Sequence, residues 1–234
     1  MTFLDRYAQD GSRPSVRSAV RDIVVRAVLP GVLLWAAIVG FGLLLTGPLT
    51  GLSRREESLN RSLAAGRTST MDTVTLIWSH AGNTEYVIAI CVLVVGLVWW
   101  RTRQWWYAAI PALAISLQAS VFVLATLVVA RPRPEVSHLD VSPPTSSYPS
   151  GHVGASTALW FTLALMALRI RTRALRVTVV VLCSIVPFLV AYARLYRGMH
   201  HLSDVVVGGL NGVVCLVLAW HYLRRADARA RKGT

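Results

Sequence analysis

Residues 146–156 read SSYPSGHVGAS and lead directly into an apolar stretch that continues to Leu168. Pro149 prevents the incoming loop from being helical, and Ser150 is a favoured N-cap residue. Gly151 lets a ligand approach the backbone, and the free N–H groups of a helix that starts here point at an anion. The stretch therefore predicts a hydrophobic helix that begins with an anion-binding turn.

Composition indicates the solvent around this helix. The chain has 234 residues, of which 54% are apolar and 15% are charged, a profile typical of membrane proteins. Each of six apolar runs approaches the ~20 residues that a helix needs to cross a bilayer. The runs are 27–46, 84–101, 105–130, 152–168, 174–193 and 205–222. We therefore predict an all-α fold, a six-helix transmembrane bundle, with one domain over 22–223.

Two polar ends and one long connection complete the predicted organisation. A basic arm, 1–21, precedes the bundle, and a basic tail, 224–234, follows it; both lack apolar periodicity and are expected to be mobile. Between the first two runs, Leu59, Leu63 and Ile77 belong to a loosely helical apolar face. This spacing favours an amphipathic segment lying in the outer interface over a further crossing.

The basic residues orient the bundle. The net charge is +13, and 16 of the 24 basic residues fall in the arm or just after it (Arg26), in two turns and in the tail, which six crossings place on one side. The positive-inside rule makes this side cytoplasmic, together with both termini. The prediction is a multi-pass cell-membrane protein in contact with the bilayer. Because topology accounts for the charge, nucleic-acid binding is not indicated, and the sequence does not predict an oligomeric state.

Four of the remaining basic residues converge at the outer ends of the helices. They lie in ATLVVARPRP (125–134) and ARLYRGMHHLSD (193–204), near YPSGH (148–152), and are Arg131, Arg133, Arg194 and Arg197. Arginine binds tetrahedral oxyanions through paired hydrogen bonds, and these loops contain few acids. A phosphate group is therefore the expected ligand.

Two histidines could carry chemistry on that phosphate. His152 lies in the first helical turn and could donate a proton to a leaving oxygen, although a purely polar cap is the simpler alternative. His200 and Asp204 are four residues apart, so the carboxylate could hold one ring N–H and leave the other nitrogen as a nucleophile. A metal site built from His200, His201 and Asp204 fits by residue type, but the surrounding arginines oppose a divalent cation.

These residues carry a family resemblance. Arg133-Pro134, then Pro149 to His152, then Arg194-x5-His200-x3-Asp204 resembles the three-part signature of the type-2 phosphatidic acid phosphatase superfamily, over about 125–222. The resemblance implies a six-helix membrane lipid phosphatase without metal or cofactor. It implies that His200 attacks phosphorus to form a phosphohistidine, that Asp204 orients His200, and that His152 protonates the departing lipid oxygen. The phosphate-binding residues implied are Arg133, Ser150, Gly151 and Arg194.

The chain departs from that signature at two positions. Thr126 stands where the family usually has a lysine seven residues before Arg133, and Ala193 stands where it usually has a serine. The missing lysine removes one phosphate clamp. Arg131 and Arg197 are the candidates to replace it, and Arg131 could equally be an interface anchor.

Several functions remain open at this point. The substrate could be a polyprenyl diphosphate, phosphatidate, phosphatidylglycerophosphate or a glycolipid phosphate, because the apolar helix faces do not indicate which lipid tail they bind. A transporter or scaffold that keeps the fold without catalysis is one alternative. An intramembrane serine protease with Ser150 as nucleophile is another, but its motif needs glycine where this chain has Tyr148.

Overall fold

The computed structural model describes residues 14–142 and 144–223, and within them the regular structure is entirely helical. Residues 1–13 of the predicted arm and the whole predicted tail, 224–234, lie outside the described residues. The elements are α1 (Val16–Ile23), a π-helical turn (Val24–Val28), α2 (Leu29–Thr46), α3 (Thr50–Ala65), α4 (Ser69–His80), α5 (Thr84–Thr102), α6 (Trp105–Ala108), α7 (Ile110–Val128), α8 (Gly151–Ala167), α9 (Arg173–Tyr196) and α10 (Leu202–Trp220).

The predicted all-α membrane class is confirmed. Within the described residues, five helical stretches are long and apolar enough to cross a bilayer: Val16–Thr46, Thr84–Thr102, Trp105–Val128, Arg173–Tyr196 and Leu202–Trp220. The sixth predicted run is α8, which is apolar but has only 17 residues. Six crossings and cytoplasmic termini therefore remain predictions, and both require α8 to cross as well.

The first helix begins earlier than the sequence predicts. Ser15 caps α1 by accepting a hydrogen bond from the Ser18 N–H at 3.3 Å, and Ala19 is buried in the core. Helix therefore starts at Val16, inside the predicted arm. The sequence does not predict this start, because Arg17 and Arg21 lie among the apolar residues of an amphipathic helix and no continuous apolar run begins there.

Helices α7, α8 and α10 form the centre of the bundle. The small residues of α10 pack on the beginning of α8: a Cβ atom at Gly212 would lie 2.6 Å from the Gly154 carbonyl oxygen, and one at Gly208 would overlap the Ser150 backbone. Such close backbone contact needs glycine on both helices. The spacing of these glycines thus predicts helix packing, as observed, and it fixes α8 against α10.

Helices α3 and α4 cover the end of the bundle where α9 and α10 join. The Asn60 side chain of α3 donates to the His200 carbonyl at 3.0 Å, and Thr75 of α4 lies within hydrogen-bond distance of Arg197. The predicted amphipathic segment is therefore two helices rather than one, and they hold the α9–α10 turn in place.

The opposite end of the bundle is aromatic and basic. Trp106, Tyr107, Trp220 and Tyr222 are buried together in one apolar cluster, and the Arg169 guanidinium lies 4.5 Å from the centroid of the Tyr107 ring. The basic turns after α5 and α8 therefore meet at this end, away from His200. This arrangement agrees with the charge pattern from which the cytoplasmic side was predicted.

Candidate active site

A cavity of about 690 Å³ lies at the end of the bundle covered by α3 and α4. Its polar wall holds His152, His200, Arg133, Arg194 and Asp140, and its deeper wall consists mainly of apolar residues of α5 and α7. The three separate sequence segments are therefore brought to one place, as predicted. The cavity joins a cationic end to an apolar interior.

His200 is buried at the wall of this cavity, with one ring nitrogen fixed. Its Nδ1 lies 2.7 Å from the Ser147 carbonyl oxygen. Because a carbonyl only accepts, Nδ1 carries a proton, and Nε2 keeps its lone pair. Within the described residues no hydrogen bond reaches Nε2. Burial lowers the pKa of His200 below its usual 6.5, an effect that the Arg194 charge adds to and Asp204 opposes, so the ring is neutral and suited to act as a nucleophile.

Asp204 lies near His200 but does not make the contact predicted for it. The Asp204 Oδ2 atom is 3.8 Å from the His200 Nδ1 atom, too far for a hydrogen bond. It accepts instead from the His201 backbone N–H at 2.8 Å, closing a capping box at the start of α10. Orientation of His200 therefore falls to the Ser147 carbonyl, while Asp204 fixes the turn that carries His200.

Arg131 is not an auxiliary phosphate clamp. Its guanidinium bridges Asp204 at 2.5 Å and Glu56 at 2.8 Å, and all three side chains are buried. It also donates to Ser203 at 2.6 Å, and Glu56 accepts from the Ser203 N–H at 2.8 Å. Both terminal nitrogens of Arg131 thus donate to a carboxylate and a hydroxyl, and the side chain does not line the cavity, so the structure gives it neither the position of a phosphate clamp nor that of an interface anchor.

Arg197, and Thr126 at the position of the family lysine, were the other possible auxiliary phosphate-binding residues, and both are engaged elsewhere in the structure. Arg197 binds Asp140 at 2.8 Å and donates to the Asp72 and Leu139 carbonyls, which ties loop 129–150 to α4. Thr126 donates to the Phe122 carbonyl of its own helix at 2.6 Å and does not line the cavity. Ala193 is fully buried in α9 and has no donor. None of these three side chains lines the cavity.

Arg133 and Arg194 keep unused donors at the cavity wall. Arg133 donates from one terminal nitrogen to the Met199 carbonyl, and Arg194 donates from one to Ser79 and Asp140. The Nε atoms of both are buried and lack a partner within the described part of the chain. Buried unpaired guanidinium donors are costly, so an anion that fills them gains strongly.

Asp140 occupies part of this cationic site. Burial would raise its pKa, but the hydrogen bonds and positive charges of Arg197 and Arg194 outweigh burial and hold the pKa of Asp140 below its usual range. The carboxylate therefore stays ionised at neutral pH. It neutralises one of the positive charges until another anion enters.

His152 and Gly151 line the cavity at the start of α8, as the opening stretch predicts. The His152 Nε2 atom lies 2.9 Å from the Asn83 Oδ1 atom; an amide oxygen accepts, so this nitrogen carries a proton. A Cβ atom at Gly151 would lie 2.8 Å from the Phe122 ring, so the close packing at this turn requires glycine. The geometry therefore fixes the His152 ring through Asn83 and places it in the same cavity as His200.

Ser150 lies just behind the cavity wall. It is fully buried, and its hydroxyl has no hydrogen-bond partner within 14–142 and 144–223. The hydroxyl can therefore donate to a ligand at the start of α8. No histidine of the described chain hydrogen-bonds this hydroxyl, which is the contact that an activated serine nucleophile needs.

The remaining histidines have structural surroundings. His201 lies in the capping box, and its Nε2 atom is 3.5 Å from a Glu57 oxygen. His138 bonds the Pro134 carbonyl and Ser142. Within the described ranges no group of three or more His, Cys, Asp or Glu side chains is arranged to hold a metal ion.

Four residues that sequence reasoning missed shape the site. They are Glu56, Asn60, Asn83 and Ser147. Ser147 acts through its backbone, which no side-chain pattern reveals. The other three lie in or just after the amphipathic segment. The only signal in the sequence is that Glu56 and Asn60 lie one helical turn apart on the same face of this segment.

Fold and site together define a class: helical membrane proteins with a histidine-containing, cationic pocket at one end of the bundle. Comparison with known protein families agrees with this class. The family description "PAP2 superfamily" matches residues 105–228. The chain therefore belongs to the PAP2 superfamily.

Two solved structures share the fold. One is the PAP2-type phosphatidylglycerolphosphate phosphatase of Bacillus subtilis, which is 16% identical with a TM-score of 0.71; the match covers 87% of this chain and 97% of that one. The other is LpxE of Aquifex aeolicus, which is 19% identical with a TM-score of 0.56, over 69% and 92% of the two chains. No curated protein sequence matches significantly.

Proposed function

We propose that the protein is an integral membrane phosphatase that hydrolyses a lipid phosphomonoester or diphosphate through a phosphohistidine intermediate. One observation carries the proposal: the neutral His200, with a free Nε2, shares a cavity with the unpaired donors of Arg133 and Arg194. Family membership and a structural relative named as a phosphatidylglycerolphosphate phosphatase support the lipid substrate.

The first half-reaction uses both histidines. The lone pair of the His200 Nε2 atom attacks phosphorus while Arg133, Arg194, the Ser150 hydroxyl and the Gly151 N–H hold the phosphoryl oxygens. The bond from phosphorus to the lipid oxygen breaks, and this oxygen takes one proton from a doubly protonated His152, which keeps its Nε2 proton on Asn83 and becomes neutral. The products are a phosphorylated His200 and a lipid alcohol, or a lipid monophosphate when the substrate is a diphosphate.

The second half-reaction uses water. His152, now neutral, accepts a proton from a water molecule as that water attacks phosphorus and the P–N bond breaks, which restores its doubly protonated state. Inorganic phosphate leaves, and both histidines return to their starting states. Asp204 and Asn83 act as positioning residues, Asp204 through the turn before α10 and Asn83 through its contact with His152.

The cavity fits a substrate that keeps its tail in the bilayer. Ile88 and Val123 line it and are also about half exposed on the outer surface of the bundle, where lipid would surround them. A phosphate held by the arginines therefore has an apolar exit for its chain between α5 and α7. A transporter or scaffold needs neither a free nucleophile nor a proton donor at this point.

The direct test is phosphate release by the purified protein. Polyprenyl diphosphate, phosphatidate, phosphatidylglycerophosphate and a glycolipid phosphate should be offered in detergent micelles. At least one should release inorganic phosphate, release should continue in excess chelator, and vanadate should inhibit because it adopts five-coordinate geometry. Loss of activity in chelator with rescue by a divalent cation would falsify the metal-free mechanism, and no release from any lipid would refute the phosphatase.

The site is proposed to face away from the cytoplasm. Val141 is 94% exposed on the loop beside the cavity, and Thr172 is exposed at the opposite end of the bundle. Val141→Cys should react with an impermeant thiol reagent added to intact cells, whereas Thr172→Cys should react only after lysis. The native cysteines are all buried and give little background. The reverse labelling pattern would place the site in the cytoplasm.

A further inference from the structure

Gln118 is a polar side chain in the apolar part of the cavity. It lies in α7, lines the cavity wall and is only 1% exposed. Its Nε2 atom is buried and has no hydrogen-bond partner among the described residues. Neighbouring cavity residues such as Ile115, Ala119 and Phe122 are apolar. A buried unpaired amide is destabilising, so a role in folding does not account for it.

The Gln118 amide lies close to the part of the cavity that holds His152. Its amide packs against Gly154, where a Cβ atom would overlap it. Gly154 is two residues further along α8 than His152, which corresponds to a depth of ~3 Å. The amide therefore lies slightly deeper in the cavity than the proton donor, on the side where the leaving group must depart.

The chemistry at that depth differs between candidate substrates. In phosphatidate the first carboxylic ester group follows the scissile oxygen after two carbon atoms, whereas in phosphatidylglycerophosphate a glycerol unit and a phosphodiester lie between them. In a polyprenyl phosphate only hydrocarbon follows that oxygen. A ligand that hydrogen-bonds a buried amide binds more tightly, and a ligand that leaves the amide unpaired binds more weakly.

We infer that Gln118 is a specificity-determining residue that hydrogen-bonds the ester group nearest the phosphate, and thereby selects glycerolipid phosphates over purely hydrocarbon ones. The inference rests on the proposed lipid phosphatase activity. It narrows the substrate to lipids with an ester carbonyl close to the reacting phosphate.

The test compares two short-chain probes that differ only at that group. These are dioctanoyl phosphatidate and the corresponding dioctyl ether, which lacks the carbonyl oxygens. The wild type should hydrolyse the ester with a kcat/KM about tenfold higher than that for the ether. Gln118→Leu should lose about tenfold on the ester and little on the ether, so the preference should disappear.

Two controls separate this result from a folding defect. Leucine has a similar size and removes an unpaired polar group, so the unfolding temperature of Gln118→Leu in detergent should equal or exceed that of the wild type. Ser120→Ala removes an exposed hydroxyl from the same helix, which bonds only within α7, and it should leave both kcat/KM values unchanged.

The outcomes distinguish the inference from the function on which it rests. Equal losses on ester and ether, or an unchanged preference in Gln118→Leu, would overturn the role of Gln118 while leaving the phosphatase intact. Hydrolysis of neither probe, nor of any lipid phosphate, by the wild type would overturn both.

Discussion

Replacing His200 with alanine is expected to abolish turnover and the covalent intermediate together. Removing a nucleophile from a catalytic unit costs on the order of 10⁴-fold or more in kcat, which corresponds to a barrier increase of about 5 kcal/mol. The measurement is phosphate release, combined with trapping of radiolabelled phosphate in an acid-labile, base-stable protein linkage. The wild type should show the label, and His200→Ala should not.

Two comparisons sharpen this result. His138→Ala, on loop 129–150, should keep both activity and label, because the hydrogen bonds of the His138 ring go to Pro134 and Ser142 of its own loop. His152→Ala should slow labelling most with a lipid alcohol as leaving group and least with nitrophenol, which leaves without protonation. Label on the His200→Ala protein would refute the assignment.

The pH dependence of the same reaction follows from the burial of His200. Burial lowers its pKa below 6.5, so the nucleophile is neutral above that lower value and becomes protonated, and inactive, below it. The acid limb of kcat/KM should therefore lie at a lower pH than an exposed histidine would give. An acid limb above pH 6.5 would contradict a buried, neutral nucleophile.

Arg131→Met is expected to cause the largest loss of stability. Arg131 is 3% exposed and pairs with Glu56 and Asp204, which are 7% and 0% exposed. Methionine would leave two buried carboxylates without a counter-charge, and breaking such a pair costs about 3–5 kcal/mol. Thermal unfolding in detergent should show the loss, and activity should fall with it because Asp204 fixes the turn that carries His200.

A double variant tests the cause. Adding Glu56→Gln to Arg131→Met removes one of the two stranded charges and should restore part of the lost stability. Arg61→Met is the matched control, because Arg61 makes only exposed ion pairs, and it should change stability by less than about 1 kcal/mol. No recovery in the double variant would mean that packing, rather than charge, explains the effect of Arg131→Met.

The sequence predicts the bundle well because membrane helices are encoded by length and apolarity alone. The first helix is the exception. Its beginning around Arg17 and Arg21 is polar by composition, and only the cap at Ser15 and the burial of Ala19 reveal the helix. α8 is also ambiguous, since 17 residues fall near the lower limit for a crossing.

The candidate site is predicted less evenly. His152, His200, Arg133 and Arg194 line one cavity, as their spacing suggests. Spacing could not distinguish Arg131 from Arg133, which are two residues apart but differ in their partners. The difference arises from Glu56, about 75 residues upstream in sequence, and a contact of that range leaves no local signal. For the same reason the partner of His200 was predicted to be Asp204 when the nearer acceptor is the Ser147 carbonyl.

The helices that carry the reacting groups are packed more tightly than the helix that lines the apolar part of the cavity. Half of the apolar window of α10 is buried inside the protein, against 11% of that of α5. His152 and His200 lie on the tightly packed side, where α8 and α10 meet. Helix α5 contributes only one apolar wall of the cavity. An engineer could therefore vary α5 residues such as Ile88 to change the range of lipid chains accepted while the reacting groups keep their spacing. Libraries confined to α5, screened on short and long chains, should yield altered chain preference at nearly constant kcat.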